Sequence, residues 1–389
     1  MQVKQIHTLI NSVSKEVLGK SELISEDLTG IVDLGNEVFN QNAVDNYVKS
    51  LVNHIGKVVF VNRPYAGKIP SVLMDAWEFG SVLEKISADL PEAEENKSWE
   101  LTDGTDYSQD VFHKPQVTAK FFNSKVTFEV PVSITERQVK ESFSNAEQLN
   151  AFLSMIYNAV EKSITIKTDA LIMRTINNMI AQTLLADKTA FGGEAPNYTS
   201  ASTARCVNLL KLYNDNKGTK LTAAKALTDP DFIKFASYTI GLYTDRLASI
   251  SNVFNIGGKP RFTPRENLHV VLLSDFEKAA RAYLYSDTYN KEQVLLPKAE
   301  SVPFWQGSGT RYDFSSTAHI TIKETSGQSV DISGVLGVMF DRDALGVCNL
   351  NRRVTTNYNA KAEFFNNYYK FDAGYFNDTN ENFVVFFVA

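Results

Sequence analysis

The run NAEQLNAFLSMIYNAVEKSITIKTDALIMRTINNMIAQTLLA, Asn145 to Ala186, contains neither Gly nor Pro and reads as one uninterrupted helix of 42 residues, about 60 Å long. Ser144 followed by Glu147 supplies a capping box at its start. Leu149, Leu153, Ile156, Val160, Ile164, Leu171, Ile176, Ile180 and Leu184 recur at helical rather than strand spacing. Lys167, Thr168 and Asp169 interrupt the stripe, which argues against a membrane span and against a strict coiled coil. A rod this far beyond ordinary globular length needs a body to lie across.

The remainder of the chain is sufficient to supply that body. Its 389 residues suggest two or three domains, and 43% hydrophobic residues with 25 Phe and 16 Tyr provide for buried cores. A formal net charge of -6 argues against a surface that grips nucleic acid by neutralising phosphates, so contact with DNA is expected to be weak and non-specific. Cys206 and Cys348 stand far apart with no partner spacing, which points to two small buried thiols in a reducing compartment. There is no basic-then-apolar leader pattern and no apolar run of ~18 residues, so folding in a cytoplasm is expected.

Around the long helix the pattern changes several times. Residues 1–36 are polar and weakly periodic, as in an arm that drapes over a neighbour. Val44, Tyr47, Val48, Leu51, Val52 and Ile55 predict a short helix closed by Gly56, and Val58 to Val61 predict a strand. From Val72 to Ile134 two extended arms flank an acidic centre, Asp89 to Asp110, where eight carboxylates face Lys97 alone. Val126, Phe128, Val130, Val132 and Ile134 alternate with polar residues in the return arm, and Pro131 marks that strand as an edge. A two-stranded projection of this size lacks the apolar surface to stand alone in water, so it is expected to rest on something outside its own subunit.

Beyond Lys188 the sequence predicts a second core. Thr203 to Asn349 alternates helix and strand patterns, with Asp229 capping a helix that has Pro230 at its first position. Leu268 to Leu273 and Gly334 to Phe340 read as buried strands, with a short helix from Asp275 to Tyr285. The aromatic tail from Val354 to Ala389 predicts strands, with a hairpin at Asn377, Asp378 and Asn380. Its last strand, Val384 to Val388, must be buried, and the sheet begun by residues 58 to 63 is the simplest home for it.

Catalytic constellations are missing. His7, His54, His113, His269 and His319 never fall at metal-ligand spacing. Gly307-Ser308-Gly309 lacks the strand-to-helix context and following Lys of a phosphate cradle. Asp341 and Asp343 read as a polar strand exit rather than an acid/base pair. No catalytic residue, metal site or cofactor is assigned.

The order of arm, short helix, strand, projecting hairpin, very long helix, mixed domain and terminal strands resembles that of the major capsid (head) proteins of tailed bacteriophages, the Hong Kong 97 fold. The segment Tyr47 to Val59 is similar to the matching stretch in head proteins of small short-tailed phages (podoviruses) of Gram-positive bacteria, and His269 to Phe276 with Gly334 to Phe340 is similar to central strands of that fold. The resemblance implies an α+β chain: an N-terminal arm (1–36), a peripheral P domain in three pieces (37–71, 135–202 with the spine helix, 351–389), an E-loop (72–134) and a mixed α/β A domain (203–350). It also implies a non-enzymatic shell protein that self-assembles into hexamers and pentamers of an icosahedral or prolate head around double-stranded DNA. The expected partners are other copies of the chain, a separate scaffolding protein, a portal protein and loosely held genomic DNA, with no membrane. The expected location is the virion, after assembly in the host cytoplasm.

Lys85 and Lys97 have no match to the cross-linking lysine of some relatives. For contacts between copies, Glu92, Glu94 and Glu95 are expected to meet basic residues of a neighbour, Arg352 and Arg353 among them, with Trp77 and Trp99 as anchors. Two other classes fit less well: an encapsulin-type compartment, which shares the fold, and a soluble enzyme with its site in the mixed domain.

Overall fold

The computed structural model describes residues 3–19, 34, 46–47, 50, 72–74, 83–91, 93, 95–107, 112–135, 146–190, 202–287, 297–305, 320–323 and 329–389. The expected helix from Val44 to Gly56 lies outside them except for Asn46, Tyr47 and Ser50, which are helical, and the expected strand from Val58 to Val61 and the cap Ser144 lie outside them entirely. In chain order the strands are β1 (Leu73–Met74), β2 (Leu83–Ala88), β3 (Val117–Phe122), β4 (Lys125–Thr135), β5 (Cys206–Asn208), β6 (Leu268–Leu273), β7 (Glu300–Val302), β8 (Ile320–Lys323), β9 (Ser329–Ile332), β10 (Val335–Asp341), β11 (Leu345–Asn359), β12 (Phe364–Asn377) and β13 (Phe383–Phe387). The long helix is continuous over 41 residues, Ala146–Ala186. Ile156, Val160, Ile164, Leu171, Ile176, Ile180 and Leu184 of its predicted stripe are all buried.

The chain divides into two compact units. The first comprises residues 1–76, 125–172 and 347–374. Its sheet runs β1-β11-β12-β4, so β4 with its Pro131 is an edge strand, as the missing ladder donor requires. β12 and β4 pair antiparallel from Phe364↔Thr135 to Gly374↔Lys125. Alternation sorts the two faces. Phe128 and Phe371 meet across the strands at 5.0 Å. The other face carries polar cross-strand pairs: Thr127 donates to Asp372 (2.7 Å), Ser133 to Asn366 (2.6 Å), and Lys370 lies 3.3 Å from Glu129.

This pairing corrects one expectation. The return arm Val126 to Ile134 does not close the projecting hairpin but joins the C-terminal strand β12, because alternation fixes which face a strand buries and leaves its partner open. A second correction concerns the N-terminus: the stretch read as polar and weakly periodic holds a helix, Val3–Leu18. It buries Ile10, Val13 and Ser14, and Glu16 accepts a 2.6 Å hydrogen bond from Ser50. Burial pushes the Tyr47 hydroxyl well above its ordinary pKa despite a hydrogen bond with Ser14.

The second unit comprises residues 77–124, 173–346 and 375–389, and its core is a five-stranded mixed sheet ordered β5-β13-β10-β6-β7. β10 pairs antiparallel with both β13 and β6, while β13–β5 and β6–β7 are parallel. Every residue of β10 and β13 is buried, which explains their continuous apolar sequences. Helices Leu209–Lys217, Pro230–Ala248 and Ser274–Asp287 contribute Leu210, Phe232, Ile240, Tyr243 and Phe276 to one core with Val270, Met339, Val384 and Phe386. Elsewhere in the unit Asn177 of the long helix donates to the Trp305 carbonyl (2.8 Å) and the Trp305 indole donates to Val335 (2.9 Å). Cys206 is buried here, as Cys348 is in the first unit.

The position of β13 is a third correction. The terminal strand does not extend a sheet begun by residues 58 to 63; it lies between β5 and β10, so the turn at Asn377–Asn380 joins two different sheets instead of forming a hairpin. Other expectations hold. Asp229 caps Pro230–Ala248 by accepting from the Phe232 amide at 2.9 Å. Asp229→Ala is expected to cost about 1 kcal/mol, measurable as a lower urea midpoint; an unchanged midpoint would contradict the capping role. Asp341 accepts from the Asp343 amide at 2.9 Å, the polar strand exit read from the sequence.

Candidate assembly surface

The projection is built on two six-residue strands that, among the described residues, pair only with each other, from Leu83↔Phe122 to Ala88↔Val117. One further bond, Asp89 N–H to the Gln116 carbonyl (2.8 Å), continues the ladder towards the tip. Strict alternation gives the ribbon two faces. Its outer face presents Glu84, Ile86, Ala88, Val117, Ala119 and Phe121, all exposed.

Beyond the strands the tip is more exposed still. Trp99 is 95% and Phe112 85% exposed, with Leu90, Leu101 and Tyr107 also open to solvent. Glu95, Glu100, Asp103 and Asp106 are exposed around them. Local bonds shape this segment: the Tyr107 hydroxyl accepts from the Thr102 amide (3.0 Å) and Asn96 from the Ser98 amide (2.9 Å). Exposed aromatic and aliphatic side chains interspersed with carboxylates are the composition of a contact surface.

The inner face carries Lys85 directly opposite Lys120. Like charges so placed repel, and a turn from the end of the chain compensates them. Asp378 receives both ammonium groups, Lys85 at 2.9 Å and Lys120 at 2.8 Å, and its side chain is almost wholly buried. Lys85 also reaches Glu381 at 2.7 Å and donates to the Asp343 carbonyl at 3.2 Å, while Arg261 stands 3.4 Å from Glu381. Lys259 grips both oxygens of Asp89 at 2.9 and 2.8 Å, and Phe122 packs on Phe376 with ring centres 5.2 Å apart. Burial alone would lift the Asp378 pKa, but Lys120, Lys85 and the Asn380 amide outweigh it and hold the carboxyl below the ordinary range. At Lys85 burial opposes the charge, and Glu381 and Asp378 outweigh it and raise the pKa.

Of the contact residues expected from sequence, Trp77, Glu92 and Glu94 lie outside the described residues. Glu95 and Trp99 sit exposed on the projection, in the second unit, and Arg352 and Arg353 lie on β11 in the first. Arg353 is ion-paired with Asp372 of its own chain and holds that carboxyl below the usual range. Lys85, Lys120, Asp378 and Glu381 were not foreseen as a group. The available signal was a lysine at the inward phase of each of two alternating strands. Among the described residues no cluster of His, Cys, Asp and Glu is arranged to hold a metal ion, and no helix is long and apolar enough to cross a membrane.

The model of the family described as Phi29-like phage major capsid protein matches residues 9–387. Among solved structures, a chain in the structure of the head fiber and inner core protein gp22 of native bacteriophage P68 is 7% identical, with 85% of this chain and 86% of that one covered and a TM-score of 0.50. At this identity the likeness is one of fold. Chains from the capsid structures of Staphylococcus phage Andhra (9% identity, 85% and 86% covered, TM-score 0.49) and cyanophage P-SCSP1u (13%, 82% and 86%, 0.45) are also similar. No curated protein matches.

Proposed function

The chain belongs to the Phi29-like phage major capsid protein family, and from that premise we infer that its projection, residues 83–122, is the limb by which one copy holds the next in the head shell. Its role is structural and non-enzymatic, and its place is the virion, where copies associate into the shell. The encapsulin and enzyme readings are not favoured by this membership.

The finer assignment follows the Hong Kong 97 plan. The projection acts as the E-loop, Ala146–Ala186 as the spine helix, the four-stranded sheet as the P domain and the five-stranded sheet as the A domain. The single observation that carries the limb reading is the exposed apolar surface of the projection, Ile86, Val117 and Phe121 on the ribbon and Trp99 and Phe112 at the tip. Its occupant is a second copy, with Glu95 meeting basic groups of the neighbour, Arg352 and Arg353 among the candidates, and Trp99 as an anchor. Hexamers and pentamers, a separate scaffolding protein, a portal and assembly in the host cytoplasm belong to the same proposal.

Co-expression with the neighbouring scaffold gene, followed by size-exclusion chromatography and negative-stain microscopy, tests it. Rings or megadalton shells are expected from the parent chain, and Trp99→Ala is expected to lower their yield. A parent chain that stays a small oligomer under these conditions overturns the limb assignment.

A further inference from the structure

We propose that the ion cluster at the root of the projection, with Lys85 and Lys120 on Asp378, Lys85 on Glu381 and Lys259 on Asp89, is a latch that holds the hairpin in one pose, and that neutralising Asp378 releases it. The consequence for shell building rests on the limb reading above; the latch itself does not.

Three features make the latch close to all-or-none. The ribbon has two strands and an exposed outer face, so it has little stability of its own and its pose depends on its inner face. That face opposes two like charges, so Asp378 is both the attraction that docks the ribbon and the screen that lets Lys85 and Lys120 stand side by side. Remove its charge and the same two lysines turn from anchor to mutual repulsion in a half-buried setting. The receiving turn is itself fixed, since Asp378 donates its amide to the Ala344 carbonyl (2.7 Å) and accepts from the Asn380 amide (3.0 Å).

The charged groups around Asp378 are Lys85 and Lys120 from the ribbon, Glu381 from its own turn, and Arg261 beside Glu381. The Asp378 pKa is depressed, so the latch is fully engaged above the ordinary carboxylate value and lets go only as pH falls through the depressed one. Lys85 is raised, so its contribution is complete below the ordinary lysine value and is lost as pH climbs through the raised one. The latch therefore stays closed across neutral pH.

Amide hydrogen exchange on the unassembled full chain tests this directly. In Asp378→Asn, residues 83–88 and 117–122 are expected to exchange about tenfold faster or more, while β6 and β10 keep their protection. In the apolar variant Lys85→Met/Lys120→Met/Asp378→Leu, hairpin protection should return and respond less to acid, with only the Asp89–Lys259 pair of the named cluster left to titrate. Unchanged hairpin exchange in Asp378→Asn overturns the proposal. Should Asp378→Asn lose protection throughout the sheet, Lys85→Met and Lys120→Met decide, because each lies on the projection itself: faster hairpin exchange over an intact sheet supports the latch, and no change in either overturns it. Normal shells from a chain with a released hairpin would sever the latch from assembly and leave the head-shell function standing. A chain with its hairpin held that never assembles would count against the limb reading instead.

Discussion

Deletion of residues 89–110 is expected to yield soluble monomers with near-parental helix content that form no shells. The described residues beyond Asp89 in this segment are exposed, so folding loses little apolar burial when they go. Among the described residues the ion pair sacrificed is Asp89–Lys259, partly solvent-exposed on both sides and worth under about 1 kcal/mol. What disappears is Trp99, Leu90, Leu101 and Tyr107 with the surrounding carboxylates, the surface assigned to the neighbouring copy. Far-ultraviolet circular dichroism should therefore match the parent, while chromatography shows monomers and microscopy shows empty fields. Particles of normal size from this deletion would remove the tip from the assembly mechanism.

Phe386→Ala should destabilise the second unit by about 3–5 kcal/mol. Phe386 is fully buried on β13, stands edge-on to Tyr243 at 5.3 Å, and faces the helices that cover the five-stranded sheet. Emptying that position leaves a cavity between β13 and the helix that carries Tyr243. A loss of this size is a large share of the roughly 5–15 kcal/mol that holds a domain folded. Urea unfolding monitored by tyrosine and tryptophan fluorescence gives the value. A loss below about 1 kcal/mol would mean that the site relaxes, contrary to the packing described.

The sequence revealed what local chemistry determines and concealed what distant partners decide. The long helix was legible because nothing between Asn145 and Ala186 can end a helix, and the Asp229–Pro230 start because both residues have a single structural preference there. Pro131 foretold an edge strand correctly, while the partner of that strand, β12, could not be read, since any strand with an apolar face answers the same alternation. The run Val384 to Val388 declared burial on both faces and was silent about which sheet buries it. The N-terminal helix carries its signal in Ile6, Ile10, Val13 and Val17, which recur every three or four residues among polar neighbours that dilute the pattern. The cluster at the hairpin root was the least legible part. Lys85 and Lys120 look like solvated charges until a turn more than 250 residues later brings Asp378 and Glu381 against them.

Placing β13 between β5 and β10 also sets a clock on biogenesis. While the ribosome is still making residues 383–387, β10 lacks one neighbour and β5 has none, leaving a slot one strand wide lined with apolar side chains. Contacts that bridge so much sequence form late, and domains complete only when their last strand has emerged. The five-stranded core of the second unit is thus expected to stay unfinished until residues 383–387 have emerged and seated between β5 and β10.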